Sequence, residues 1–552
     1  MLSEATRTRT GPVEPASEPI LLGDEAVALA AIHAGIAAAY AYPGTPSTEI
    51  LEYLIRHRER HGAPHAAWTA NEKTAYETAL GTSLAGRRAL VAMKHVGLNV
   101  AADPFLNSAL VAIQGGLVVA VADDPGMHSS QNEQDSRYYA DFAHVPCLEP
   151  ANHQEAYDMA REAFGLSERF RMPVLLRLVT RLAHSRAPVR VRPPDPVPPA
   201  PERADTRGWT LLPAFARRQW HAVLERQREL RGYVEVCDHN RIDLQPPGAD
   251  IAVVTTGIAR TYYLECAGEL ERRPSHLHIG AYPFPAGKLE ELARGAATLL
   301  VLEEGYPFLE RYLRGVLPGR HRILGRATGH VPADGELGPD AVRAALGLPI
   351  ASGTDSRGLE VPARSPQLCA GCPHRDTFEA LNRALEGFPD ALVTSDIGCY
   401  TLGALPPYEA IHSCVCMGAS IGMAKGAAEA GLHPVVATIG DSTFLHSGVT
   451  PLLDAVTADA DLTLIILDNR VVAMTGGQPT ILEGGDLEAL VLGLGVDPAH
   501  VHRVEAHPKK VGELADRIRR EIEHRGLSVI IAARECIESA RKRKRTGGTN
   551  EA

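Results

Sequence analysis

The sequence predicts an α/β protein of three parallel-sheet domains, and two patterns carry that prediction. Short apolar runs, AAAYAYPG (37–44), ALVAMKH (89–95) and GLVVAVADD (116–124), interleave with Ala-rich helical stretches such as EAVALAAIHAG (25–35) and NEKTAYETALGTSLAG (71–86). Apolar strands that end in Gly, Pro or Asp and run into helices describe a parallel sheet covered on both faces. The second pattern is punctuation: two Pro- or loop-rich breaks divide the chain into three such blocks. Ligands of these sheets lie outside the carboxyl ends of the strands.

In chain order, residues 1–18 form a lead without the apolar run of a signal peptide and are expected to be disordered. Residues 19–186 form the first block. Residues 187–247 are a linker and connector. Its opening, APVRVRPPDPVPPAPERADTRG (187–208), can sustain neither a helix nor a central strand, and residues 209–236 read as helix. The second block, 248–347, holds IAVVTTGIA (251–259) and LLVLEEGYPFLE (299–310). A loop-rich stretch leads to the third block, 360–540, with PVVATIGDSTF (434–444), LTLIILDNRVV (462–472) and SVIIAARE (528–535). The basic tail 541–552 is expected to be solvated and disordered.

Bulk properties narrow the class. A chain of 552 residues suggests about three domains, and 45% hydrophobic with 22% charged residues is ordinary for a globular protein. The formal charge of −11 argues against a nucleic-acid partner. No uninterrupted apolar stretch of about 18 residues exists, so no membrane span is expected and the protein is expected in the cytoplasm. The nine cysteines lack a secreted-framework spacing and read as metal ligands, catalytic groups or core.

The most specific chemistry lies in the third block. One strand ends in Gly440-Asp441-Ser442 and a later one in Asp468-Asn469-Arg470-Val471. The 28 positions from Asp441 to Asn469 fit one helical crossover, which puts both polar ends on one edge of the sheet. Mg²⁺ takes six oxygens, usually one or two protein carboxylates plus phosphates. Asp441, Asn469 and the Val471 carbonyl supply three, and two phosphates and a water complete the shell. Gly440, Gly476 and Gly477 let backbone approach a diphosphate. Alone, Gly-Asp-Ser and Asp-Asn are ordinary strand-end turns; at this spacing, followed by Met474-Thr475-Gly476-Gly477-Gln478, they read as the Mg²⁺–diphosphate half of a thiamine diphosphate site.

These strings, with AYPGTPSTEI (41–50), MKHVGLNVAADP (93–104), DDPGMHSSQNEQDSRYYA (123–140), LCAGCPHR (368–375) and SDIGCYTLG (395–403), resemble the alpha subunits of indolepyruvate:ferredoxin oxidoreductase. The wider family is the thiamine-dependent 2-oxoacid:ferredoxin oxidoreductases, and the resemblance spans roughly residues 20–540. It implies that the first block binds the aminopyrimidine of thiamine diphosphate, the third its diphosphate, and that the second is transketolase-C-like. It also implies a site shared between the first domain of one chain and the third of another, hence a dimer, with a smaller beta subunit as partner.

Residue by residue, the resemblance assigns Glu72 to N1′ of the aminopyrimidine, promoting deprotonation of the thiazolium carbon. The bland reading is a helix-capping or solvated carboxylate, and Glu77 is the competing acid. Thr45, in Pro43-Gly44-Thr45-Pro46-Ser47, and His95, near Lys94 and Asn99, are implied substrate contacts. His374 and Gly398 join Gly440, Asp441, Ser442, Asn469, Val471, Thr475 and Gly476 around the cofactor. Cys369, Cys372, Cys399 and Cys536 match the four thiolate ligands of a [4Fe–4S] cluster; the alternative is inert buried thiols. Cys414 and Cys416 read as core or near-cofactor residues, and Cys147, Cys237 and Cys266 as structural.

One departure stands out. The family's alpha subunit normally continues into a ferredoxin-like domain with CxxCxxCxxxCP runs, whereas here about 16 residues follow Cys536. The expected activity is oxidative decarboxylation of an aryl or branched 2-oxo acid to an acyl-CoA. Coenzyme A is the cosubstrate, and electrons leave through the cluster to ferredoxin or another acceptor. A non-redox thiamine-dependent decarboxylase or carboligase, and a non-catalytic paralogue, are the rival expectations.

Overall fold

The computed structural model describes residues 18–196, 206–246, 251–350, 353, 358, 366–482 and 485–547. Residues 1–17 of the expected lead 1–18, the core of the Pro-rich linker and the end of the basic tail lie outside the described residues. The chain divides into two compact units. One comprises residues 1–41, 46–67 and 75–351; the other comprises 42–45, 68–74 and 352–552.

Besides the antiparallel pair Ile20–Leu22 with Arg186–Pro188, the larger unit carries two larger sheets, one for each of the first two blocks. The seven-stranded sheet runs Ala281–Tyr282, Cys147–Leu148, Val174–Val179, Leu117–Asp123, Ala89–Lys94, Ala38–Ala41, His65–Trp68. Its central pairs are parallel, and Leu117–Asp123 is buried at every position, as a strand covered on both faces must be. The five-stranded sheet runs Arg322–Leu324, Thr298–Leu302, Ile251–Thr256, His276–Ile279, Asn240–Asp243.

Two block boundaries are softer than the sequence suggests. Ala281–Tyr282, from the second block, pairs antiparallel with Cys147–Leu148 at the edge of the first block's sheet. The connector is helical over Pro213–Val236, but it then supplies Asn240–Asp243, the antiparallel edge strand of the second sheet.

A buried ionic network joins elements of these two sheets. Arg137 contacts Asp135, Glu149 and Glu303, and Arg177 contacts Asp123, Asp135 and Glu149. Arg326 pairs with Glu304 at 3.1 Å. Five carboxyl groups face three guanidinium groups, so the network holds excess acid. Burial accordingly pushes Glu303 up to about 7, with Asp135 adding to the rise and Arg137 opposing it. A carboxyl raised in the folded state stabilises fully below its unfolded value and loses that contribution as pH rises through the folded value. Stability should therefore fall from about pH 4.5 to about pH 7, by up to roughly 3 kcal/mol for this group. Thermal unfolding across that range, wild type against Glu303→Gln, should show a shallower decline in the variant; parallel curves would remove Glu303 as the cause.

The second unit is built on an all-parallel sheet: Leu392–Thr394, Val435–Gly440, Thr463–Asp468, Ser528–Ala533, Val501–Glu505. Period-2 alternation sorts its side chains into two cores. Val436, Ile465, Leu467 and Ile530 pack with Phe378 and Leu381 on one face. Ile439, Leu464, Ile466 and Val529 pack with Ile421 and Leu452 on the other. The register aligns Gly440 with Leu467, and Asp468 with Ala533. The loops after these strands therefore leave from one edge.

The basic tail departs from expectation. Ile537–Gly547 is helical, because IESARKRKR lacks Gly and Pro and is rich in good helix formers. Arg541 also reaches Glu538 one turn back at 2.6 Å. Among the described residues no helix is long and apolar enough to cross a membrane.

Candidate active site

The second unit assembles the site from strand-end loops. Val435–Gly440 turns at Gly440 into a helix that begins at Asp441. Gly440 has an ordinary φ of −76°; what it needs is space, since a Cβ there would lie 2.6 Å from the Tyr400 ring. The Asp441 carboxylate accepts the Arg470 N–H at 2.7 Å. Arg470 adopts φ +66°, a left-handed conformation costing about 1–3 kcal/mol off glycine, and this bend aims its N–H at Asp441. Gly476 and Gly477 have φ of +127° and +83°, where glycine is needed.

Asn469 is held from two sides. Its Oδ1 accepts the Val471 N–H at 3.1 Å, and its Nδ2 lies 3.1 Å from Nε2 of His374. Burial pushes His374 down to about 4, so the ring is neutral and accepts the amide proton. His374 thus fixes which way Asn469 points. Burial, with Asp468 adding, pushes Asp441 up to about 7, which marks a carboxylate short of positive charge, the environment a divalent cation would correct. Thr475 Oγ1 meets Gln478 Oε1 at 2.7 Å, closing the turn between the paired strands Val471–Val472 and Gln478–Pro479. A cavity of about 850 Å³ opens over Asp441, Arg470, Val471, Gly476, Gly477 and Cys536.

Segments 42–45 and 68–74 of the first block cluster with this same unit. The Tyr42 hydroxyl lies 2.9 Å from Ser442 Oγ. A second cavity, about 230 Å³, is lined by Tyr42, Trp68, Thr69, Ser442 and Val472. Thr45 belongs to this unit; His95 belongs to the other. There His95 is buried, with Nε2 3.1 Å from the Asn132 carbonyl and Nδ1 without a hydrogen-bond partner.

Glu72 does not cap its helix. Asn71 does so, its Oδ1 accepting the Thr74 N–H at 2.8 Å. Glu72 is 5% exposed, and its Oε2 lies 2.8 Å from Nε2 of His446. Asn71 Nδ2 donates to the His446 carbonyl at 2.9 Å, and the Tyr42 and His446 rings pack edge to face at 4.6 Å. Glu77 is exposed. Sequence reading missed His446. It lies in a π-helical turn, Phe444–Gly448, inside a helix that otherwise continues to Thr457; such turns often mark functional sites. Glu72 and Asp441 therefore stand in one unit of one chain, which corrects the expectation that a second chain must bring them together.

The four matched cysteines converge beside this edge. The turn Cys369–Cys372 is closed by a backbone bond of 3.0 Å. Arg534 ties it to the last strand through the Gly371 carbonyl at 2.8 Å and Asp376 at 2.8 Å. The Cys536 N–H donates to the Asn469 carbonyl at 3.2 Å. Cys399 follows Gly398, whose neighbourhood also excludes a Cβ, 2.3 Å from the Tyr400 ring. Burial pushes Cys372 up to about 11 and Cys399 up to about 12, and in each case the other cysteines of the group raise it further. All four are free thiols. Cys414 and Cys416 are exposed, not core, while Cys147, Cys237 and Cys266 are buried.

Residues 396–532 match the family "Thiamine pyrophosphate enzyme, C-terminal TPP binding domain", and residues 29–210 match "Pyruvate flavodoxin/ferredoxin oxidoreductase, thiamine diP-bdg". Fold and site together define a thiamine diphosphate-dependent 2-oxoacid oxidoreductase. The chain is 37% identical to indolepyruvate oxidoreductase subunit IorA of Archaeoglobus fulgidus over 99% of its own length and 90% of that protein. It is 38% identical to IorA of Methanothermobacter thermautotrophicus (94% and 87% covered) and 35% identical to IorA of Thermococcus kodakarensis (95% and 86%). The chain belongs to the IorA family of indolepyruvate oxidoreductase subunits.

Proposed function

We propose that this chain oxidatively decarboxylates an aryl or branched 2-oxo acid of the indolepyruvate kind to the acyl-CoA. It works with a smaller beta subunit, as a dimer of this chain, and passes electrons to ferredoxin or a similar acceptor. The observation that carries the reading is their common unit: Glu72, Asp441, Asn469 and four free cysteines lie in it together, and a backbone hydrogen bond links Cys536 to Asn469.

The donors suit the groups. Asp441, Asn469 and the Val471 carbonyl offer Mg²⁺ oxygen ligands, and Gly440, Ser442, Thr475 and Gly476 border the diphosphate. Cys369, Cys372, Cys399 and Cys536 offer four thiolates to a [4Fe–4S] cluster; the raised Cys372 and Cys399 thiols need a strongly cationic centre to ionise. When bound, thiamine diphosphate supplies the carbanion that accepts the 2-oxo carbon and the electron sink for loss of CO₂. The chain's own groups do the rest. Glu72 exchanges a proton with the aminopyrimidine ring, His446 and Asn71 hold Glu72 in place, and His374 orients Asn469. Thr45, in the same unit, receives the substrate carboxylate.

Anaerobic purification with the beta subunit tests this, followed by iron, sulfide and thiamine assays and a 2-oxo acid screen with coenzyme A and a dye acceptor. The expected protein is brown, holds four irons per chain and reduces the dye only with coenzyme A present. A colourless, iron-free protein that still consumes a 2-oxo acid would make it a non-redox decarboxylase or carboligase. Failure to bind thiamine diphosphate with Mg²⁺ would remove both.

A further inference from the structure

Outside that site, three side chains distant in sequence meet in the larger unit. The ligand atoms of Asp24, Glu49 and His184 all lie within 4.8 Å of one another. Asp24 sits in the first turn of the helix Gly23–His33, Glu49 in the first turn of Thr48–His61, and His184 ends Thr180–His184. His184 Nε2 and Glu49 Oε2 are already 3.2 Å apart, on side chains 32% and 34% exposed. Asp24 differs from both. It is fully buried, and neither of its carboxyl oxygens has a hydrogen-bond partner.

A buried carboxyl without a partner is among the most costly groups a fold can hold, and its neighbours worsen its position. Burial first, then Glu49 and Glu25, push Asp24 well above the usual carboxylate range. The nearby cations are engaged elsewhere. Arg186 reaches Glu25 at 3.2 Å, and Arg56 reaches Glu25 at 3.8 Å and Glu52 at 3.7 Å.

We propose that Asp24, Glu49 and His184 form a site for one divalent transition-metal cation of the zinc class, which ties three helices of the larger unit. Two carboxylate oxygens and one imidazole nitrogen suit Zn²⁺ or Mn²⁺, whereas Mg²⁺ keeps to oxygen. Zinc bonds of about 2.0–2.2 Å set tetrahedral ligands roughly 3.3–3.5 Å apart. The Glu49–His184 contact of 3.2 Å is close to this, and the Asp24 oxygen, within 4.8 Å of both, is drawn inward by the cation. The cation ionises Asp24 and satisfies oxygens that no protein group reaches. Water completes the shell on the half-exposed side of Glu49 and His184. The role is structural, and the proposal does not rest on the thiamine reading.

The test uses the full chain loaded with thiamine diphosphate and Mg²⁺, equilibrated with Zn²⁺, dialysed, and assayed for bound zinc. Wild type should retain one equivalent more than Asp24→Asn and than His184→Gln. Zinc added to chelator-treated protein should raise the unfolding midpoint of wild type by several degrees and leave both variants unmoved. Any zinc held by the cysteines or the diphosphate site is common to all three proteins and cancels. If Asp24→Asn does not fold, the half-exposed His184→Gln carries the comparison. Equal zinc content in wild type and variants, or an undiminished thermal response in either variant, would overturn the site and leave Asp24 a buried, protonated acid.

Discussion

Glu72→Gln should lower turnover of the 2-oxo acid by about 10²–10⁴-fold, the usual contribution of a positioned proton-transfer group. Glutamine keeps the size of Glu72 and can still hydrogen-bond His446 across the present 2.8 Å, but it cannot exchange a proton with the aminopyrimidine ring. Affinity for thiamine diphosphate with Mg²⁺ should fall far less, because the proposed contacts at the other end of the cofactor, Asp441, Asn469 and Gly476, are untouched. Glu77→Gln, on an exposed residue of the same helix, is the control and should leave turnover within about 2-fold. Steady-state kinetics with a dye acceptor and a cofactor titration read both quantities. Retention of turnover within tenfold in Glu72→Gln would remove the residue from the proton path. Equal loss of turnover and cofactor binding would make it a binding group only.

His446 gives this prediction a structural reason. It contacts Glu72 through Nε2, and its Nδ1 lies 2.6 Å from Ser447 Oγ. Asn71 caps the helix and grips the His446 carbonyl. The carboxylate is therefore held by groups from two parts of the chain, so its orientation is fixed before any ligand arrives, which is how a positioned base avoids paying reorganisation at the moment of reaction.

Much of this was legible in the sequence for a simple reason. In a parallel sheet, every strand end points to one edge, so Gly440-Asp441, Asp468-Asn469 and Arg534-Cys536 can be placed together once their strands are recognised. Pairings across long separations had no such signal. Glu72 and His446 are 374 positions apart, and the π turn that carries His446 breaks the helical period by which its face would have been read. Gly440 was read as letting backbone approach a diphosphate; the reason visible in the structure, the Tyr400 ring that leaves no room for a Cβ, had no sequence signal. The buried ionic network was invisible too, since Asp135, Arg177, Glu303 and Arg326 lie in different blocks and each reads locally as a surface charge.

That network carries the largest stability effect. Arg177→Met should destabilise the larger unit by about 3–5 kcal/mol, the cost of leaving a buried partner charge unpaired. The Arg177 side chain is 0% exposed; its Nε donates to Asp123 at 2.7 Å, its Nη1 to Glu149, and its Nη2 to the Glu304 carbonyl at 3.1 Å. Methionine fills much of the same volume, so the loss is electrostatic more than steric. It leaves Asp123, Asp135 and Glu149 facing Arg137 alone in a network that already holds excess acid. An exposed pair gives the contrast. Arg383→Ala breaks a contact with Glu379 in which both side chains are about half exposed, and should cost at most about 0.5 kcal/mol. Chains of this size need not unfold in one step, so the measurement is hydrogen exchange at the central strand Leu117–Asp123, which reports opening of this unit. Protection there should drop by about 10²–10⁴-fold in Arg177→Met. A drop of less than tenfold would mean that the acids around Arg177 are protonated in the folded protein and never needed it as a counter-charge.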